Sequence, residues 1–136
     1  MDNLCPGCAI QLKNGKLITG KTSELLGASS ALLINVLKNL AGIPDGMDLL
    51  SRAVIEPIQG LKVKHMGNRN PRLHTDEVLI ALSICAATNP MAKLAIKQLP
   101  KLRDLEAHSS VILASVDSQT FKKLGVHMTN EPQTQT

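Results

Sequence analysis

The order of its strand and helix patterns is what most restricts the fold of this 136-residue chain. Two short apolar segments, residues 9–12 and 17–19, open the chain and are separated by Lys13-Asn14-Gly15-Lys16. Asn-Gly favours a hairpin turn because both residues tolerate a positive φ angle. Helical patterns fill the middle, and a strand, a short helix and a last strand follow. This order predicts a helix-rich α/β fold in which helices cover a mixed sheet.

Four helical patterns occupy the middle of the chain. We predict that Thr22 or Ser23 caps the first helix and that Gly42 ends it. The third helix, capped by Thr75, is apolar on every side over residues 78–87, which predicts a central buried helix. The other two helices are predicted at residues 51–66, interrupted by Pro57, and at residues 89–99, where Asn89-Pro90 forms the start and Pro100 the stop.

The remaining segments set the predicted domain boundaries. A buried strand is predicted at residues 109–113, a helix at 117–124 and a last strand at 126–129. We expect residues 1–8 to form an N-terminal tail, residues 9–131 a single α/β domain, and residues 132–136 a disordered tail.

Composition excludes several classes of function. Phe121 is the only aromatic residue, so the chain lacks the stacking platforms that hold single-stranded nucleic acid. Fifteen basic against 11 acidic residues is too small an excess for a nucleic-acid footprint. The longest apolar run, residues 25–40, contains polar residues and does not predict a membrane span. An odd number of cysteines, three, and the absence of a secretory signal at the start predict a cytoplasmic protein. Cys5-Pro6-Gly7-Cys8 has neither the context of a redox motif nor the partners of a zinc site, so no metal is predicted.

One motif suggests phosphate chemistry. The segment Gly15-Lys16-Leu17-Ile18-Thr19-Gly20-Lys21-Thr22 satisfies the phosphate-binding loop pattern G-x-x-x-x-G-K-[ST]. Its middle residues are apolar and β-branched, which favours a hairpin strand instead. A weaker hypothesis stays open, in which Lys21, Thr22 and Ser23 bind a phosphate or carboxylate at the start of the following helix.

Two further clusters contain candidate acid/base groups. Asn70-Pro71-Arg72-Leu73-His74-Thr75-Asp76-Glu77 leads into the apolar helix, and Glu106-Ala107-His108-Ser109-Ser110 precedes the third predicted strand. Helix capping explains the acids but not Arg72 or His74. We therefore take Arg72 as an anion-binding candidate and His74, Asp76 and His108 as catalytic candidates. The simpler alternatives are structural histidines and, for the basic stretch, a solvated helix face that contains Arg52, Lys62, Lys64, His65, Arg69 and Arg72.

Four segments together resemble a known bacterial family over residues 9–132. They are Ile18-Thr19-Gly20-Lys21-Thr22-Ser23-Glu24-Leu25, Val54-Ile55-Glu56-Pro57-Ile58-Gln59, Asn70 to Ser83, and Glu106 to Ser110. The sequence resembles the C-terminal part of the uncharacterised family called domain of unknown function 1846. The resemblance implies a subdomain of a longer chain with a cytidine-deaminase-like fold, in which helices cover a mixed sheet in three layers. It does not imply deaminase chemistry, because the H-x-E and P-C-x-x-C motifs of that reaction are missing.

Two functions follow as hypotheses. In the first, this cytoplasmic subdomain contributes to an anion or small-ligand site, with a phosphate-bearing small molecule as its partner, and has no complete activity alone. In the second, an enzyme acts on a phosphorylated or nucleotide-like substrate through a convergence of Lys21, Thr22, Arg72, His74, Asp76 and His108. The cofactor is unknown. We also expect homo-oligomerisation or association through an apolar face that the missing part of a longer chain would cover.

Overall fold

The predicted hairpin begins the sheet. In the computed structural model, which describes residues 7–130, β1 (Gly7–Gln11) pairs antiparallel with β2 (Leu17–Lys21). The turn between them contains Gly15 at φ 89°, where the missing side chain avoids strain. β1 begins two residues before the predicted domain boundary at residue 9, and it includes Cys8, which the sequence pattern placed ahead of the strand.

Two later strands complete a mixed sheet of order β2-β1-β3-β4. β3 (Glu106–Ser109) is antiparallel to β1, and β4 (His127–Asn130) is parallel to β3. The prediction of a strand over residues 109–113 is wrong, since β3 ends at Ser109 and residues 111–114 are not strand. Residue 109 ends the strand because its hydroxyl bonds the backbone of Val111 and so turns the chain.

The first helix starts later than predicted. α1 (Ala28–Ala41) has Gly27 as its N-cap, so neither Thr22 nor Ser23 caps it. The Ser23 hydroxyl instead accepts hydrogen bonds from the backbone of Leu25 and Leu26, which forms a local turn. The chain then lies beside the loop that precedes the third helix, and an isolated parallel β-bridge pairs Leu26 with Leu73. The predicted end is confirmed, since Gly42 follows α1 in the left-handed conformation.

The remaining helices lie close to their predicted positions. They are α2 (Arg52–Gly60), which continues as a π-helical turn (Leu61–His65), α3 (Thr75–Cys85), α4 (Pro90–Ile96), followed by a 3-10 turn (Leu99–Leu102), and α5 (Ser115–Lys123). His74 rather than Thr75 is the N-cap of α3. The prediction that α3 is buried on every side is wrong, because Ile80 and Ile84 are more than half exposed. The Asn89-Pro90 start of α4 is confirmed, with the Asn89 side chain accepting from Met91.

Helices cover one face of the sheet only. α1 packs on β2 so closely that a Cβ added at Gly20 would lie 2.2 Å from the Leu32 amide nitrogen. Alternate strand residues such as Ile10 and Ile18 face this core, which also encloses Phe121. The opposite face, which includes Thr19 and His108, is exposed. Residues 7–130 therefore form a mixed α/β fold with a four-stranded sheet and five α-helices, in two layers rather than the three that the family resemblance implies.

Candidate functional site

Three helix N-termini meet at a cavity of about 170 Å³. The cavity is lined by the starts of α1, α3 and α5 and by the loops that precede them, and we call it the helix-terminus cavity. Its lining includes Thr22, Ser29, Arg72, His74 and Asp117. Helix N-termini carry unpaired N–H groups and a partial positive charge, so this arrangement favours an anion.

The N-terminus of α1 lacks a cap. Gly27 has no side chain to accept a hydrogen bond, and the first turn contains no acidic residue. The first hydrogen bond of the helix runs from the Ala31 amide to the Gly27 carbonyl oxygen. The N–H groups of Ala28 and Ser29, in the first turn of α1, therefore have no acceptor within the helix. Both residues line the cavity, so their donors are available to a ligand there.

Ser29 adds a hydroxyl at the same place. The residue as a whole is only 4% exposed, and its hydroxyl makes no hydrogen bond within residues 7–130. By contrast, the hydroxyl of the adjacent Ser30 donates to the Leu73 carbonyl at 2.8 Å. The Ser29 hydroxyl is therefore available to a ligand in the cavity.

Arg72 reaches the cavity from the loop before α3. Its Nε donates to the Ser23 carbonyl oxygen, and its terminal guanidinium nitrogens bond to nothing else within residues 7–130. The loop itself is held by Lys62, which is 4% exposed and donates from Nζ to the Arg72 carbonyl at 2.6 Å and to Glu77 Oε1 at 2.8 Å. Glu77 Oε1 also accepts from the His74 amide at 2.8 Å. Lys62 was predicted to be part of a solvated basic face, and that prediction is wrong because its ammonium group is the internal partner of this loop.

His74 and Asp117 form a side-chain pair at the cavity. His74 Nδ1 lies 3.4 Å from Asp117 Oδ2, and the histidine side chain is 35% exposed. The other carboxylate oxygen, Oδ1, accepts from the amide and the hydroxyl of Thr75, at 2.9 and 2.8 Å. Asp117 is buried, and its position in the chain gave no sign of this role, because an acid in the first turn of a helix needs no special explanation.

The structure divides the predicted site residues into separate places. Thr22, Arg72 and His74 line the helix-terminus cavity, whereas Lys21 and His108 line a second cavity of about 300 Å³ at the sheet. Lys21 thus does not share a cavity with Arg72 or His74, and the predicted convergence of all six residues does not occur.

Two other predicted residues lie outside both cavities. Asp76 is exposed on α3 and accepts a hydrogen bond from the Glu77 amide. Ser23 lines a different cavity, and its hydroxyl takes part in its own turn. His108 Nδ1 lies 2.7 Å from the Thr129 hydroxyl on the neighbouring strand.

The phosphate-binding loop pattern forms no such loop. Gly15 lies in the hairpin turn, and residues 17–21 are paired with β1 as strand β2, so their amides do not turn inward around a phosphate. This confirms the hairpin interpretation of the motif.

Within residues 7–130, no group of three His, Cys, Asp or Glu side chains is placed to hold a metal ion. No helix in that part of the chain is long and apolar enough to cross a membrane. Cys5 lies outside the described residues.

Cys8 lies in the core beside the site. Burial is the main cause that raises the pKa of the Cys8 thiol above its usual range. A hydrogen bond with the Ser109 side chain lowers that pKa, and the negative charge of Asp117 raises it. A buried thiol with a raised pKa is a poor nucleophile, so Cys8 is a core residue.

Comparison with known proteins identifies the family. The model of the C-terminal region of domain of unknown function DUF1846 matches residues 2–136. A UPF0371 protein of Corynebacterium glutamicum is 58% identical over 130 residues, which cover 96% of this chain and 26% of that protein. A UPF0371 protein of Streptococcus pyogenes serotype M5 is 50% identical over 127 residues, which cover 93% of this chain and 26% of that protein. The chain therefore spans about a quarter of the length of these relatives. It belongs to the DUF1846 family and corresponds to its C-terminal domain.

Proposed function

We propose that this chain contributes an anion or small-ligand site at the helix-terminus cavity and has no complete activity alone. The observation that carries the proposal is the uncapped N-terminus of α1 at the cavity, where Ser29 also places a hydroxyl that makes no hydrogen bond within residues 7–130. The amides of the first turn of α1 and the guanidinium group of Arg72 would supply further donors. Donors from a helix terminus, a hydroxyl and a guanidinium group together suit a phosphate or a carboxylate.

The size of the cavity supports a small anionic group. Its volume of about 170 Å³ is below the ~300–1,000 Å³ of pockets that hold drug-sized ligands, so it suits a single phosphate group better than a nucleoside. A phosphate-bearing small molecule would therefore place only its phosphate inside. Thr22 and Ile112, both exposed residues in the lining, would then contact the organic part.

Asp117 is the one carboxylate in the lining, and its negative charge opposes an anion. Two hydrogen bonds from Thr75 and the nearby His74 imidazole offset that charge.

The alternative function is an enzyme that acts on a phosphorylated or nucleotide-like substrate. The His74–Asp117 pair favours this candidate, because a carboxylate on one ring nitrogen orients a histidine for proton transfer through the other. Lys21 and His108 would take no part, since they line the other cavity. The anion site is common to both functions, so anion binding is the first property to test.

The decisive experiment is a thermal melt with inorganic phosphate, pyrophosphate or magnesium ATP, carried out on the native chain, on Ser29→Ala and on Ser83→Ala. Ser83 is an exposed serine on α3, and it serves as the matched control. A ligand at 100 times its Kd stabilises the native state by about 2.7 kcal/mol. We expect at least one anion to raise the Tm of the native chain and of Ser83→Ala but to raise that of Ser29→Ala much less. Equal shifts in all three proteins, or no shift with any anion, would refute the proposal.

Location and the full architecture of the longer proteins form part of the same proposal. Cys8 and Cys85 are both free and buried, which suits a cytoplasmic protein in a reducing compartment. A third layer over the exposed sheet face, as in cytidine-deaminase-like folds, would come from other parts of the longer family chains. Parallel strand pairs such as β3 and β4 usually occur in sheets covered on both faces, and this supports such a layer.

A further inference from the structure

The outer side of α3 is apolar where a surface helix would be polar. Ile80 is 59% exposed and Ile84 is 53% exposed, one helical turn apart. Ser83 and Ala87, on the same side, are exposed as well, and the only charged residue there is Asp76 in the first turn. A helix that is hydrophobic on all sides is normally buried on all sides. Here the inner side contacts the core, and the outer side has no cover within residues 7–130.

A groove extends this apolar face at the C-terminal end of α3. Its volume is about 640 Å³, and Ile84 and Ala87 form one wall. Leu49, Leu50 and Val54, from the start of α2 and the segment before it, form the other wall. We call the outer side of α3 together with this groove the α3 face. A contiguous apolar surface next to a groove is typical of an interaction site.

We infer that the α3 face is the docking surface for the region of the longer family proteins that has no counterpart in this chain. In the two relatives that are 58% and 50% identical, the region that matches this chain is 26% of the protein. About three quarters of each relative therefore lies outside the matched region. A domain in the same chain is held at a high effective concentration, so it covers an apolar face at little entropic cost.

A second copy of the chain is the less favoured occupant. Each copy has a formal net charge of +4, so two copies repel each other, and no tether raises their effective concentration. The inference does not depend on the anion site, since the α3 face and the helix-terminus cavity lie on different parts of α3.

The test compares thiol labelling in this chain and in the full-length Corynebacterium glutamicum relative. The probe cysteine is introduced by Ser83→Cys, and a control cysteine by Gln119→Cys, an exposed position on α5. The same two aligned positions are changed in the relative, and Cys5 is replaced by serine in this chain. Cys8 and Cys85 are buried and should react slowly.

We expect both probes to react quickly in this chain and the Ser83 probe to react at least about tenfold more slowly in the relative, which corresponds to ~1.4 kcal/mol of protection. Adding Ile80→Lys at the aligned position of the relative should restore fast labelling. In this chain the same lysine should leave the Tm unchanged, because Ile80 is already exposed. Equal labelling of the Ser83 probe in both proteins would overturn the inference. Protection that appears in this chain as its concentration rises would also overturn it, in favour of a second copy.

Discussion

Replacing Lys62 with methionine tests whether an internal ammonium group holds the loop of the candidate site. The substitution keeps most of the apolar stem and removes the charge. It deletes the hydrogen bonds to the Arg72 carbonyl and to Glu77, at 2.6 and 2.8 Å. The Lys62 side chain is 5% exposed and the Glu77 side chain is 26% exposed. Water can therefore replace only some of the hydrogen bonds that the substitution removes.

Hydrogen bonds that involve a charged group contribute about 1.5–3 kcal/mol each, and the partial exposure of Glu77 places the total for Lys62→Met at about 3 kcal/mol. For a chain of this size that corresponds to a fall in Tm of about 10 °C. Lys64→Met is the matched control, because Lys64 lies on the same π-helical turn and is exposed. We expect differential scanning calorimetry to show the large fall for Lys62→Met only. Equal changes in Tm for the two variants would refute the assignment of Lys62 as an internal partner of the loop.

Three further predictions concern the core and the site. Gly20→Ala should lower the free energy of unfolding by about 3 kcal/mol in urea denaturation, because the new Cβ would overlap the backbone of α1, whereas Gly46→Ala, in open space, should change it little. Stability should fall as the pH rises through and beyond the usual thiol pKa, because the unfolded state releases the Cys8 proton before the folded state does, and Cys8→Ala should flatten that part of the pH profile. Asp117→Ala should cost about 2–4 kcal/mol, since it leaves two buried donors unpaired, while Asp76→Ala at an exposed position should be nearly neutral in the same thermal melts.

Short-range sequence patterns were sufficient to predict several turns and helix ends. The Asn-Gly hairpin, the end of the first helix at Gly42 and the Asn89-Pro90 helix start all depend on residues only a few positions apart, and all three are confirmed. The family followed from segments spread along the whole chain, because a long match is far more specific than a short motif. By the same reasoning, the phosphate-binding loop pattern failed, because eight residues that fit a motif also fit a turn and a strand.

Tertiary structure decided where the first helix begins and which polar residues meet. Leu73, far from the hairpin in sequence, holds residues 25–27 extended, so the helix cannot start at Thr22 or Ser23. Asp117 bonds to Thr75 across 42 positions, and no local pattern encodes that contact.

Local sequence patterns likewise do not encode which charged residue is buried or where the candidate site forms. Lys62 has the same local sequence signal as the exposed Lys64, yet only Lys62 is buried. Local sequence determined each element because hydrogen bonding and side-chain periodicity act over one or two helical turns. The helix-terminus cavity depends on how α1, α3 and α5 pack against one another, which long-range contacts alone determine.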